Sequence, residues 1–354
     1  MKVKNVIKWA VIVGIVIAAL VLKTYRDAGE FKTIQELGGE SCETVSGVQS
    51  SEDITIDLET GMAFISSDNR RRTTRGDFSE QGAIYGYDLA AEHPVLVNLT
   101  REFKKPFYPH GIGFFRPADG GRPLLLAVNH TPEGHFVEIF EYDGQSLIHR
   151  QSVSGELMHS PNDVAAVDRD KFYVTNDHGS SSRWGKTIEE YLQLARSYVL
   201  YYDGTGFRKV AKGLAYANGI QVSADGKTVY VAATVSRAVF VYDRDMETGE
   251  LTLRQKIDLR TGVDNLEIDA EGNLWLAAHP KLLTFVRYAK DPTQLSPSQV
   301  LRIRWRGLGR YDIDYIYSND GSRLSGSSVA AVYNGRLLIG SVFDPRFLLC
   351  RLKK

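Results

Sequence analysis

NGIQVSADGKTVYVAATVSRAVFVYDRDMETGELTLRQKI, residues 218–257, holds four short strand-like runs with turn residues between most of them. NGIQVS (218–223) opens on polar residues and then alternates. GKTVYVAAT (226–234) is a continuous apolar run after an Asp-Gly turn, the pattern of a strand buried on both faces. AVFVYDRD (238–245) ends in a Tyr-Asp pair, and LTLRQKI (251–257) alternates apolar with charged residues. β-Branched and aromatic residues fill the runs and Gly and Asp mark the turns, as antiparallel strands require.

The same unit recurs along the chain at a spacing of roughly 50 residues. The polar-opening run reappears as EDITID (52–57), HGIGFF (110–115), NDVAAV (162–167), DNLEID (264–269) and SSVAAV (327–332). The apolar run returns as GMAFISS (61–67), RPLLLAVNH (122–130), DKFYVTNDH (170–178), GNLWLAAH (272–279) and GRLLIGSV (335–342). The third run returns as AIYGYDL (83–89), VEIFEYDG (137–144), SYVLYYDG (197–204), LLTFVRYA (282–289) and RFLLCRL (346–352). Fourth runs, PVLVNL, SLIHRQS, FRKVAKG and QVLRIRW, follow every third run but the last. Six units of four strands predict an all-β chain, a closed six-bladed β-propeller, in preference to a β-sandwich. The missing outer strand must come from the N-terminal side, around Phe31 to Val45.

The chain has 354 residues, 43% hydrophobic and 24% charged, which is enough for one large core. Basic and acidic residues balance at 43 each, so nothing steers the protein towards nucleic acid. Trp9 to Leu22 is an unbroken apolar run, extended by Val6 and Ile7 and preceded by Lys2, Lys4 and Lys8. This predicts a cytoplasmic stretch at 1–5, a transmembrane signal anchor at 6–22, a linker at 23–30 and an extracytoplasmic propeller domain at 31–354. A cleaved signal peptide has a similar pattern. The two cysteines, Cys42 and Cys350, are separate thiols in a reducing compartment and a disulfide after translocation. On the propeller reading they share the outer strands of the last blade, where a disulfide locks the ring.

In a propeller the first strand of each blade lines the central channel. The openers Glu52, Asp53, His110, Asn162, Asp163, Asn218, Asp264, Asn265, Ser327 and Ser328 therefore converge near the axis. Carboxylates and amides gathered without Lys or Arg repel and stay unsatisfied. A hard cation resolves this: calcium takes oxygen ligands, Asn carbonyls included, whereas zinc prefers Cys or His. The plainer alternative is that Asp and Asn only start strands as turn residues.

SEDITIDLETGMAFISS, FYPHGIGFF, VNH, PNDVAAV, FYVTNDH, ANGIQVSADGKTVYVA, VDNLEID, LWLAAHP and SVAAVYNGRLLIGSVF, in order from about Cys42 to Cys350, resemble the paraoxonase/arylesterase family. The resemblance implies a six-bladed propeller with two calcium ions that hydrolyses lactones, aryl esters and some organophosphates. It implies a catalytic ion on Glu52, Asn162, Asn218, Asp264 and Asn265, and a structural ion on Asp53, Asp163 and backbone carbonyls. It places a histidine pair at His110 and His130, a ring-closing disulfide at Cys42 and Cys350, and a retained N-terminal hydrophobic segment. His110 is then the base that activates water and His130 tunes it, with Glu52 the rival base.

His178 is read as support for the ion's shell through Asp177, and His279 as a loop residue at the pocket. His93, His135, His149 and His159 carry no special context. DNRRRTTRGDFSEQG departs from vertebrate members of the family, and its arginines Arg70, Arg71, Arg72 and Arg75 form a solvated loop or meet an acidic substrate. Trp184 to Val199 is the one helical pattern inside the propeller. The expected partners are a small lactone or ester and, through the anchor, a membrane; no protein partner is legible. The alternatives are a gluconolactonase-type propeller hydrolase, or a non-enzymatic binding propeller stabilised by calcium.

Overall fold

The computed structural model describes residues 2–307 and 309–352, with side chains from Asn5 onward. Met1, in the expected cytoplasmic stretch, and Leu308, Lys353 and Lys354, in the expected propeller domain, lie outside the described residues.

The first strand, β1 (Cys42–Ser46), is set aside for the last blade. Blade 1 is β2 (Asp53–Ile56), β3 (Met62–Ser67), β4 (Ala83–Asp88) and β5 (Leu96–Asn98). Blade 2 is β6 (Pro109–Phe115), β7 (Leu124–Thr131), β8 (Gly134–Tyr142) and β9 (Leu147–Val153). Blade 3 is β10 (Pro161–Ala166), β11 (Phe172–Asn176), β12 (Ser197–Tyr202) and β13 (Phe207–Leu214). Blade 4 is β14 (Ala217–Val222), β15 (Thr228–Ala233), β16 (Ala238–Arg244) and β17 (Leu251–Asp258). Blade 5 is β18 (Gly262–Ile268), β19 (Leu274–His279), β20 (Ser298–Trp305) and β21 (Tyr311–Asn319). Blade 6 joins β22 (Ser327–Tyr333), β23 (Arg336–Ser341) and β24 (Arg346–Arg351) to β1, in the order β22-β23-β24-β1. The chain is a six-bladed propeller, each blade an antiparallel sheet of four strands.

The ring closes as the sequence predicts. β1 pairs with β24 in a register that sets Cys42 against Cys350, and a disulfide joins them. Between neighbouring blades lie apolar seams. In one, Tyr173, Val199 and Tyr201 of blade 3 pack on Val229, Val231 and Phe240 of blade 4. Ile54, Ile65 and Tyr87 of blade 1 pack in the same way on Val329, Leu338 and Phe347 of blade 6. The closing seam is therefore of the same apolar kind as those between sequential blades. Removing the fully buried Phe347 ring would cost roughly 3–5 kcal/mol.

Five inner strands carry an extra residue at their opening. Registers slip between Pro109 and Ile112, Pro161 and Val164, Ala217 and Ile220, Val263 and Leu266, and Ser327 and Ala330. In each case three steps on the inner strand face two on its partner. A bulge sets two residues against one and re-aims their side chains. Adjacent openers such as Asn162 and Asp163, or Asp264 and Asn265, are thus freed from strict alternation and both meet the channel. Glycine makes the convergence close: a Cβ at Gly111 would fall 2.5 Å from Asp163 Cα. One at Gly219 would fall 2.7 Å from Asn265 Cα.

Four α-helices and a short 3-10 turn at Gly39–Ser41 complete the fold among the described residues. The apolar run over 6–22, expected as an anchor, lies within a longer helix: α1 (Lys2–Asp27) continues through most of the expected linker. Residues 5–27 form the one helix among those described that is long and apolar enough to cross a membrane. Its end is fastened to the propeller. Lys23 Nζ donates to Gln193 Oε1 at 2.9 Å, and Arg237 Nη1 donates to the Asp27 carbonyl at 3.0 Å. α2 (Arg70–Thr73) follows β3. α3 (Arg183–Tyr191) is shorter than the pattern over 184–199, because the chain must turn into β12 at Ser197. It starts on a Ser182 cap, whose Oγ accepts from Gly185 N at 3.1 Å.

One strand assignment fails. LLTFVRYA (282–289), expected as the third strand of blade 5, is the helix α4 (Leu282–Lys290). Leu282, Phe285, Val286 and Ala289 stand at the i, i+3, i+4 and i+7 positions of an amphipathic helix face. Glu30 caps it, accepting from Leu283 N at 2.8 Å and Thr284 N at 3.0 Å. The third strand is instead the QVLRIRW run, in β20, and β21 is the outer strand.

Candidate active site

The openers gather beneath a cavity of about 670 Å³ at one end of the channel. Glu52, His110, His130, Asn162, Asn218 and Asp264 line it, while Asp53, Asp163 and Asn265 do not. All of them except His130, which is half-buried, are buried in the propeller. The remaining wall is largely apolar, with Phe78, Leu282, Phe285, Val286 and Phe343 among its residues.

Glu52 Oε1 lies 3.3 Å from His110 Nε2 and accepts from Asn265 Nδ2 at 3.3 Å. Burial opposes ionisation of Glu52, but His110 and then Arg70 outweigh it and hold the carboxyl below its usual range. Asp264 accepts from Asn218 Nδ2 on one oxygen, and its other oxygen lies 2.8 Å from His279 Nε2. Burial raises Asp264 above the ordinary carboxylate range although His279 pulls the other way. His279, expected as a loop residue, therefore ends β19 fully buried against a channel carboxylate.

Asp53 and Asp163 stitch blades together. Asp53 accepts from Ile54 N at 2.9 Å and from Ile112 N of the next blade at 2.7 Å. Asp163 accepts from Val164 N and from Ile220 N of the next blade, both at 2.7 Å. Burial raises both well above the usual range, and repulsion from neighbouring carboxylates adds to it.

The donor set leaves oxygens unsatisfied. Glu52 Oε2, Asn162 Oδ1, Asn218 Oδ1 and Asn265 Oδ1 are buried and have no hydrogen-bond partner. Buried polar groups are nearly always paired, so four orphans in one cluster call for a cation. Among the described residues no three His, Cys, Asp or Glu side chains form a metal-holding group by themselves. The amides must therefore complete any site, which suits calcium and not zinc. These residues fit a calcium ion.

Around this centre the structure adds residues that the sequence left aside. Arg70, expected in a solvated loop, lines the cavity with Nη2 3.4 Å from His110 Nδ1. Arg71 lies between the Tyr288 and Phe343 rings, 4.5 Å from each centroid, and donates to the Tyr288 and Ala289 carbonyls at the end of α4. Arg72 and Arg75 stay nearer the surface, on Asp77 and on the Lys290 carbonyl. The basic run is thus the tie between α2 and α4 along the cavity wall.

His135, given no context by the sequence, continues the histidine pair. His130 Nε2 lies 2.9 Å from His110 Nδ1, and His130 Nδ1 lies 2.9 Å from His135 Nδ1. The pairing of β7 with β8, which sets His130 opposite His135, is the signal that a hairpin reading of 122–144 holds. His178 lies 2.5 Å from Asp177 and 2.9 Å from Glu190 of α3. Burial works against its protonation, but the two carboxylates outweigh that and push it to about 9. Tyr216, whose ring packs edge-on to His178, holds φ at 64°, a conformation that is costly for a bulky side chain.

The arylesterase family model matches residues 33–352. Human serum paraoxonase/arylesterase 1 is 36% identical over 330 residues, covering 91% of each chain. Human serum paraoxonase/lactonase 3 is also 36% identical over 330 residues, with 91% of each chain covered. Among solved structures, a luciferin-regenerating enzyme overlays with a TM-score of 0.54 at 15% identity, over 88% of this chain and 95% of its own, a likeness of fold alone. Fold, ring-closing disulfide and sequence agree: the chain belongs to the arylesterase family.

Proposed function

We propose that this protein is a calcium-dependent hydrolase of lactones and aryl esters. The observation that carries the reading is the cluster of four unpartnered buried oxygens, those of Glu52, Asn162 and Asn218 in residues that line the cavity and that of Asn265 beneath it. With Asp264 they would hold a catalytic ion, and Asp53 and Asp163 with backbone carbonyls would hold a structural one. The names of the relatives, arylesterase and lactonase, point to the same chemistry.

Held by these residues, a calcium ion would supply Lewis acidity to a scissile carbonyl. The chain's own residues do the rest. The apolar wall takes the acyl or aryl part of the substrate and excludes bulk water. His110 Nε2, at the cavity floor, accepts a proton from the attacking water, and His130 behind it sets the state of the ring. Glu52 is the alternative base. The propeller sits outside the cytoplasm, anchored by α1: the disulfide needs an oxidising compartment, and Lys2, Lys4 and Lys8 favour the cytoplasmic side.

The test is hydrolysis of an aryl ester and a lactone by the purified protein, with calcium and after prolonged chelation. Turnover that depends on calcium is expected. Full rates in excess chelator overturn the reading.

A further inference from the structure

We propose that His110, His130 and His135 form a proton wire, which takes the proton that His110 accepts at the cavity floor out to the cavity rim and brings one back. The wire rests on the hydrolytic reading above and adds to it a third histidine and a route.

The geometry is a chain of three rings. Both links are 2.9 Å between ring nitrogens, and each ring uses one nitrogen per link. His110 keeps Nε2 for the cavity floor, 3.3 Å from Glu52 Oε1. His135 is only half-buried and has the His159 backbone beside it. All three rings line the cavity.

One N–H per neutral ring satisfies every link. His110 Nδ1–H donates to His130 Nε2, His130 Nδ1–H donates to His135 Nδ1, and the last proton of the chain sits on His135 Nε2. His110 Nε2 then carries a lone pair. When water attacks, its oxygen bonds to the carbonyl carbon and one of its protons passes to His110 Nε2. One proton shifts across each link, and the proton on His135 Nε2 leaves to solvent. When the bond from carbon to the leaving oxygen breaks, His110 Nε2 gives its proton to that oxygen. The links shift back, and His135 Nε2 takes a proton from solvent. The second proton of the water departs as the product acid ionises. Atoms and charge balance, and the wire ends as it began.

The shifted state suits its surroundings. In it the N–H on His110 Nε2 faces the Glu52 carboxylate, and Nδ1, now accepting from His130 Nε2–H, carries no proton towards Arg70 Nη2, 3.4 Å away. Without the wire an imidazolium on His110 would stand beside the Arg70 guanidinium. Burial holds His130 well below the usual imidazole range, with His110, His135, Arg70 and Lys186 adding to it, so the charge does not rest midway. Burial also lowers His135, which has Lys186 and Asp177 near it with opposite effects.

The experiment is lactone hydrolysis by the calcium-loaded full chain and by His135→Gln and His135→Phe, in dilute non-imidazole buffer and then with added imidazole. The variants should lose about ten-fold in kcat with KM unchanged, less than the ~100-fold lower bound for positioned proton transfer because cavity water still carries part of the flux. Imidazole should restore the rate in the variants and leave the wild type unchanged. Wild-type kcat in both variants in dilute buffer overturns the wire. So does a loss that imidazole does not restore, which marks a packing role. Should the Phe variant fail to fold, the Gln variant, which keeps a hydrogen-bonding side chain, decides the matter. A calcium-loaded wild type without hydrolytic activity overturns the parent reading and the wire with it.

Discussion

Chelation should lower the melting temperature of this propeller, and the size of the drop follows from the four orphaned oxygens. Each buried acceptor without a partner costs about 1–3 kcal/mol, so the four on Glu52, Asn162, Asn218 and Asn265 cost about 4–12 kcal/mol when no cation satisfies them. Water entering the cavity recovers part of this, which favours the lower end. At roughly 2 °C per kcal/mol for a large domain, the expected drop is about 8 °C or more. Asn162→Ala sharpens the test. Its Nδ2 has only a 3.5 Å contact with Asp177 to lose, whereas its Oδ1 is one of the orphans. The variant should melt near the wild type in chelator yet gain less from added calcium. Scanning calorimetry over a calcium titration, with magnesium as control, measures both quantities. Equal melting temperatures with and without chelator after full equilibration would refute the cation cradle. An undiminished calcium shift in Asn162→Ala would remove Asn162 from it.

Asp264→Asn should abolish turnover on every substrate and reduce the calcium-dependent rise in melting temperature. His110→Gln should keep that rise and lose about 100- to 10,000-fold in lactone turnover; near-normal turnover with calcium bound would move the base to Glu52. Replacing Cys42 and Cys350 by Ala removes a link across 308 positions, worth about 5 kcal/mol in the chain-entropy model, and denaturant titration of oxidised protein against the variant reads it. His178 is raised to about 9 in the fold, against about 6.5 unfolded, so its pairing with Asp177 and Glu190 contributes fully below pH 6.5 or so and is lost as pH rises through 9. Amide-exchange protection of α3, corrected for intrinsic rate, should therefore fall between pH 8 and 10; flat protection would count against the pairing as the clamp on α3.

Most of the ring was legible because each blade repeats one physical problem. A strand buried on both faces reads as an apolar run, and its neighbours read as alternations, so GKTVYVAAT and its counterparts announce the second strands of their blades. Two remote cysteines became a closure only once the outer strand was seen to be missing. Where the repeat bends to make the site, the period misleads. LLTFVRYA has the length and composition of its counterparts, yet its apolar residues sit on a helical face, because blade 5 sends this segment over the cavity instead of into the sheet. Similarly, the residues over 184–199 that resemble a longer helix are cut short by the demand for β12.

The openers show what a sequence withholds about a site. Adjacent polar residues such as Asn162 and Asp163 should face opposite ways on a regular strand, and alternation alone would send one of each pair away from the channel. The bulge between Pro161 and Val164 permits both to converge, and nothing in the letters marks it. The places of Arg70 and His135 at the centre were hidden for a related reason. Each reaches the centre across a tertiary gap, Arg70 from α2, between the second and third strands of blade 1, and His135 from the far side of a hairpin in blade 2. Neither belongs to an apolar seam between blades, so the repeat itself places no demand on them. The proposed metal cradle is therefore tied to the architecture through Asp53 and Asp163, which hold neighbouring blades together. The arginine and third histidine are free to differ, and they are where this chain's substrate preference and proton path would be set.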